Sequence, residues 1–206
     1  MSAAPRLLEF LKWTGKLKDL KRTGWVLRNV SEPERVSSHM YQMAVMSMIL
    51  DVPGLDMTRC LKMALVHDMA ECKVGDITPH CGVASDVKKK LELEAFSGLG
   101  QMLSSAKSEE FQALFREYEE QTTEEAKFVK DLDMFDMILT AFEYERHGRC
   151  SMLSGNCAPL QEFFESTRGK FKTEAVKQLV EELYRQREEF LIEASAVNDG
   201  AGLELK

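Results

Sequence analysis

The chain has 206 residues, 44% hydrophobic and 30% charged, which suits one globular domain with a single core and excludes a disordered polymer. Its formal net charge of -7 argues against a nucleic-acid polymer as partner, because phosphate backbones are held chiefly by clustered Lys and Arg. A single nucleotide, held by a metal and one or two basic residues, stays compatible with that charge. The five cysteines, Cys60, Cys72, Cys81, Cys150 and Cys157, form no Cys-x-x-Cys pair, so reduced thiols are expected rather than a disulfide framework or a zinc knuckle. No apolar run approaches the roughly 18 residues that span a bilayer, and residues 1–20 carry no apolar signal-peptide core. A cytoplasmic protein is expected, with the nucleus left open and no membrane partner.

The pattern is helical almost throughout. Leu7, Leu8, Leu11, Leu17 and Leu20 mark one stripe of a helix over Arg6–Leu20. Thr23-Gly24 breaks it, and Trp25–Val30 reads as a connection. A second helix is predicted to start between Glu34 and Ser37, with Ser31-x-x-Glu34 as a capping box, and to run to about Asp51. After the Pro53-Gly54 turn, Asp56 is placed to cap a third helix from Met57 to about Lys73, ended by Gly75. Asp86–Ser104 and Glu109–Glu120 read as amphipathic helices, and Thr122-x-x-Glu125 caps a long helix ending near His147-Gly148. Arg149–Pro159 reads as a loop, Leu160–Ser166 and Thr173–Ala194 as helices. The expected architecture is all-α, a compact helical bundle: one domain over residues 1–195 and a flexible tail over 196–206.

The chemistry concentrates in Leu65-Val66-His67-Asp68-Met69-Ala70-Glu71, a His-Asp pair inside an apolar stretch. Burying an imidazole beside a carboxylate is costly without compensation, and a divalent metal supplies it. On a helix His67, Asp68 and Glu71 share a face, and His39, in Val36-Ser37-Ser38-His39-Met40, must come from another helix to close a coordination sphere. The helix Lys127–Phe142 adds Asp131, Asp133 and Asp136, but its apolar arc is too wide for periodicity to choose among them. Imidazole and carboxylate ligands suit Co, Mn, Fe, Ni or Zn, with Mg also considered, and such a site points to metal-assisted hydrolysis. The bland readings are a satisfied core histidine at His39 and aspartates paired at the surface with Lys127, Lys130 or Arg146. The run Lys12, Lys16, Lys18, Lys21, Arg22 reads as a solvated face, the twelve methionines as adaptable core, and Cys72 as a small buried hydrophobe.

Several strings, in order, resemble the HD-domain superfamily of metal-dependent phosphohydrolases, and within it the HD-domain 5'-deoxynucleotidases. They are Arg22-Thr23-Gly24-Trp25, Arg28-Asn29-Val30, Val36-Ser37-Ser38-His39-Met40-Tyr41, Ala64–Glu71, Gly75-Asp76-Ile77-Thr78-Pro79, Glu125–Lys130 and Leu132-Asp133. The resemblance covers roughly Leu7 to Tyr144. It implies metal ligation by His39, His67, Asp68 and Asp133, with Glu71 and Asp76 as the acid/base pair. It implies that Glu71, Asp76 and the backbone of Ile77 hold a second ion in some relatives, and that Arg22 and Trp25 contact phosphate and sugar. The implied substrate is a deoxynucleoside 5'-monophosphate and the implied assembly a homodimer. Three positions depart from the pattern: Ser38 before the first His, the extra acid Asp131, and Pro79-His80-Cys81-Gly82 where an acid follows the Pro in relatives. The rival readings are an HD-type phosphodiesterase on another small nucleotide, disfavoured because only His80 and His147 remain and neither is suitably placed, and a non-catalytic metal-binding helical adaptor.

Overall fold

The computed structural model describes residues 3–150 and 160–201. Its helices are α1 (Ala4–Gly15), α2 (Thr23–Val26), α3 (Val36–Ile49), α4 (Met57–Ala64), α5 (Glu71–Val74), α6 (Ser85–Gly100), α7 (Ser105–Glu120), α8 (Glu124–Arg146), α9 (Gln161–Thr167) and α10 (Glu174–Ala201), with single 3-10 turns at Lys16–Lys18 and Pro79–Cys81. Among the described residues there is no strand, only one antiparallel bridge between Lys21 and Arg35. The all-α expectation therefore holds. Most of the predicted loop, residues 151–159, lies outside the described residues, as do 202–206; α10 itself continues to Ala201, into the stretch expected to be a tail.

The long α8 is the axis, packed against α3, α4, α7, α9 and α10. Its width of apolar residues explains that place: Phe128, Val129, Leu132, Ile138 and Ala141 are all inaccessible to solvent, so the helix buries several sides at once. At its C-terminal end Arg187 of α10 donates to Glu145 through Nε (2.7 Å) and Nη2 (3.0 Å), and Glu145 also accepts from the Leu160 backbone N–H. A buried charge is thereby paired and hydrogen-bonded, which keeps its desolvation tolerable.

Local chemistry corrects several sequence expectations. The first helix ends at Gly15, and the connection after it contains the short α2. The Ser31 capping box does not form: α3 starts after Arg35, and Glu34 turns inward to accept from the Trp25 indole Nε1 at 2.8 Å. The cap of α8 is Thr123, one residue later than predicted, accepting from Ala126 N–H. Asp56 caps α4 as expected.

The most consequential change is that α4 does not continue to Lys73. From Val66 the chain closes i to i−3 hydrogen bonds, at Val66 to Met63 (3.0 Å), Met69 to Val66 (3.0 Å) and Glu71 to Asp68 (3.1 Å). The buried His67 supplies a reason: its Nδ1 lies 2.9 Å from the Ala64 carbonyl, a side-chain bond that competes with the helical ladder. His67 and Asp68 thus sit on tight turns and α5 begins afresh at Glu71. Gly75 ends α5 at φ +79°, a conformation that disfavours a side chain, and turns Asp76 back toward α2.

Candidate metal centre

Each imidazole arrives with one nitrogen committed. The Ala64 carbonyl can only accept, so His67 carries its proton on Nδ1 and turns Nε2 outward. His39 is entirely buried and meets Asp136 Oδ2 through Nδ1 at 2.6 Å, a carboxylate–histidine pair that orients the ring and makes its far nitrogen more basic. Both Nε2 atoms are buried and have no hydrogen-bond partner. A buried polar atom without a partner is costly, and two of them aimed at one point need a common occupant.

Carboxylates complete the point. The His39, His67 and Asp133 donor atoms all lie within 4.8 Å of one another. Asp133 Oδ1 is 3.2 Å from His39 Nε2, while Asp68 Oδ2 is 3.2 Å from His67 Nε2 and 3.8 Å from His39 Nε2. Two neutral imidazole nitrogens and two carboxylate oxygens fit a divalent transition metal. The outer oxygen of Asp133 is held by the Tyr118 hydroxyl at 2.6 Å and Lys130 Nζ at 2.8 Å, which leaves the inner one for the centre.

The electrostatics are those of a concentrated negative site. Burial opposes ionisation of Asp68 and Asp133, but His67 and Arg22 around the first, and Lys130 and His39 around the second, outweigh it and hold both carboxyls below the usual carboxylate range. Burial and Arg22 pull the His39 pKa down, yet Asp133 and Asp136 outweigh them and hold it up at about 9. The carboxylates that would favour an imidazolium there favour a doubly charged ion for the same reason. Glu71 differs. Burial first, then the charges of Asp68 and Asp76, push its carboxyl well above the usual range, and its Oε2 has no partner. Asp76 Oδ2 accepts from the Thr23 backbone N–H at 2.7 Å.

Arg22 links the centre to a cleft. Its Nη1 lies 3.3 Å from Asp68 Oδ2, and it lines, with Asp76 and Trp25, a pocket of about 250 Å³. Arg22 therefore leaves the solvated basic run to which its sequence neighbours belong. Trp25, implied by the resemblance to contact the sugar, is 1% exposed and packed against Tyr144 and Phe163, yet forms a wall of that pocket. Ile77 falls between Asp76 and the pocket-lining Thr78. His80, dismissed from sequence, lines the same pocket; His147 lies away, against the Glu143 carbonyl, and neither adds a ligand to the centre.

An HD domain family model matches residues 14–179. The chain belongs to the HD-domain family. It is 46% identical over 192 residues to the Xenopus laevis protein named 5'-deoxynucleotidase HDDC2, covering 93% of this chain and 92% of that one. It is 47% identical over 184 residues to the human protein of the same name, covering 89% and 87%. Among solved structures, the PH0347 protein of Pyrococcus horikoshii OT3 superimposes with a TM-score of 0.69 at 32% identity, over 86% of this chain and 96% of that one. HD domain-containing protein YGK1 gives a TM-score of 0.68 at 26% identity, over 90% and 87%.

The roles of three polar residues escaped the sequence reading. Asp136 was one of three indistinguishable aspartates, and only the 2.6 Å contact with His39 gives it a task. Glu34 was read as a helix cap. Tyr118 left no signal at all, since its meeting with Asp133 depends on how α7 packs on α8, whereas Lys130, one turn from Asp133 on the same helix, was already a candidate partner for these aspartates.

Proposed function

We propose that this HD-domain protein is a metal-dependent 5'-deoxynucleotidase that hydrolyses deoxynucleoside 5'-monophosphates to deoxynucleoside and phosphate. The observation that carries the reading is the pair of partnerless imidazole nitrogens converging with Asp68 and Asp133 beside a pocket floored by Arg22. The names of relatives 46–47% identical agree with it.

His39, His67, Asp68 and Asp133 would hold the ion, and the mixed imidazole–carboxylate set favours Mn, Fe, Co, Ni or Zn over Mg. An ion bound there would supply Lewis-acid polarisation and would lower the pKa of bound water. Arg22, already charged and facing the centre, offsets the negative charge of the phosphate. Glu71, whose carboxyl pKa is pushed up by burial and by the charges of Asp68 and Asp76, is the group suited to deliver a proton to the departing 5'-oxygen, and Asp76 is the complementary acceptor. Trp25 walls the sugar end; a ribose 2'-hydroxyl there would be desolvated without a partner, which selects deoxyribose.

The reading extends to a cytoplasmic homodimer. Tyr41, Met48 and Ile49 of α3 are 66–71% exposed and supply apolar surface for self-association, which sedimentation equilibrium would test. No helix among the described residues is long and apolar enough to cross a membrane. Phosphate release from a panel of deoxy- and ribonucleotides, with and without chelator, tests the activity: release confined to 5'-monophosphates, favouring deoxyribose and abolished by chelator, is expected.

A further inference from the structure

The pocket beside the centre has two unlike ends. Arg22 and Asp76 stand at the metal end, and Arg28, His80 and Glu162 stand at the solvent end, joined across the pocket by the Phe163 ring. Arg28 is held rather than loose. Its Nε and Nη2 donate to the two Glu162 carboxylate oxygens, Nη2 lies 3.2 Å from His80 Nε2, and its guanidinium sits 5.6 Å from the Phe163 ring centroid. Three helices and turns far apart in sequence thus fix one cation. What they leave over is Nη1, whose two N–H groups have no hydrogen-bond partner among the described residues.

We propose that Arg28 Nη1 reads the nucleobase, selecting guanine and thymine over adenine and cytosine; the proposal rests on the deoxynucleotidase reading above. With the phosphate at the metal end and the sugar against Trp25, the base extends toward the solvent end, and its substituent farthest from the sugar meets Arg28. In guanine and thymine that substituent is a keto oxygen, an acceptor for Nη1–H; in adenine and cytosine it is an amino group, which sets donor against donor. Phe163 offers a stacking face that serves every base and discriminates little. Glu162 is the less suited reader, because both its oxygens already accept from Arg28. A charge-assisted bond at a half-exposed mouth separates the two classes by about five- to thirtyfold in kcat/KM.

The test is kcat/KM of the metal-loaded protein with dGMP, dAMP, dTMP, dUMP and dCMP, for the wild type, Arg28→Gln and Glu162→Gln. Expected are keto-over-amino ratios of at least five, dUMP close to dTMP, and ratios near one in Arg28→Gln, whose amide both donates and accepts. Glu162→Gln, which leaves Arg28 in place with a weaker anchor, is expected to keep an intermediate ratio. Equal values for all bases in the wild type, a preference for dAMP and dCMP, or a keto preference that survives Arg28→Gln in a protein of unchanged melting temperature would each overturn it. If the metal-loaded protein hydrolyses none of the five, the deoxynucleotidase reading falls, and this inference with it.

Discussion

Three aspartates on α8 look alike in sequence and are given three different tasks by their surroundings, so their variants should separate cleanly. Asp131 is the sharpest case. Its carboxylate is 1% exposed and accepts from the backbone N–H groups of Lys172 (2.8 Å) and Thr173 (2.6 Å), tying α8 to the entrance of α10. Asp131→Ala removes two hydrogen bonds to a charged acceptor, about 1.5–3 kcal/mol each when fully desolvated. Water can reach the exposed Lys172 side of the gap, so a loss of about 2–3 kcal/mol for the pair is the working figure. At about 2–4 °C per kcal/mol for a chain of this size, the melting temperature should fall by about 4–12 °C. Differential scanning calorimetry, with metal content measured on the same sample, checks it. Bound metal should be unchanged, and Asp131→Asn, which keeps one acceptor oxygen, should lose less. Loss of metal with an unchanged melting temperature would refute the argument and shift the ligand from Asp133 to Asp131.

Asp136→Asn should weaken metal binding by about 10–100-fold without abolishing it, because the residue orients His39 through Nδ1 rather than reaching the ion; equilibrium dialysis against a competing chelator measures this. Glu71→Gln should lower kcat by about 10²–10⁴ while metal content stays at wild-type level, since the variant loses the proton and little else; steady-state kinetics on metal-loaded protein provides the check. Trp25→Ala should cost about 3–5 kcal/mol, because the ring is 1% exposed, so Trp25→Phe is the informative variant. It should narrow the deoxy-over-ribo ratio of kcat/KM while retaining the fold.

The helices were legible because their apolar stripes and punctuation are local properties, and Asp56 and Gly75 act where the sequence placed them. The break after Ala64 was not, since it depends on a hydrogen bond from the buried His67 ring to a backbone carbonyl. Within the site, His39, His67, Asp68 and Asp133 were nameable through family resemblance, whereas periodicity alone left Asp131, Asp133 and Asp136 equivalent on α8, which is buried on several sides. Choosing among them takes the partners that other helices bring: Lys172 and Thr173 to Asp131, Tyr118 to Asp133, His39 to Asp136. His80 stays clear of the centre, as expected, but its contribution to the pocket was not legible, for a related reason. Its place in the pocket wall is set by the turn at Pro79–Cys81 and by Arg28 of a distant segment, neither of which spacing reveals.

The central claim is that two imidazoles and two carboxylates hold one catalytic ion. Its most direct test is elemental analysis, paired with phosphate release from dGMP, on protein purified without added ions or chelator, for the wild type and for His67→Ala and Asp133→Ala. Expected are at least one tightly held divalent transition metal per wild-type chain, phosphate release that chelator abolishes and metal restores, and loss of both metal and activity in each folded variant. Full activity in either variant, or chelator-resistant hydrolysis by metal-free wild-type protein, would contradict it.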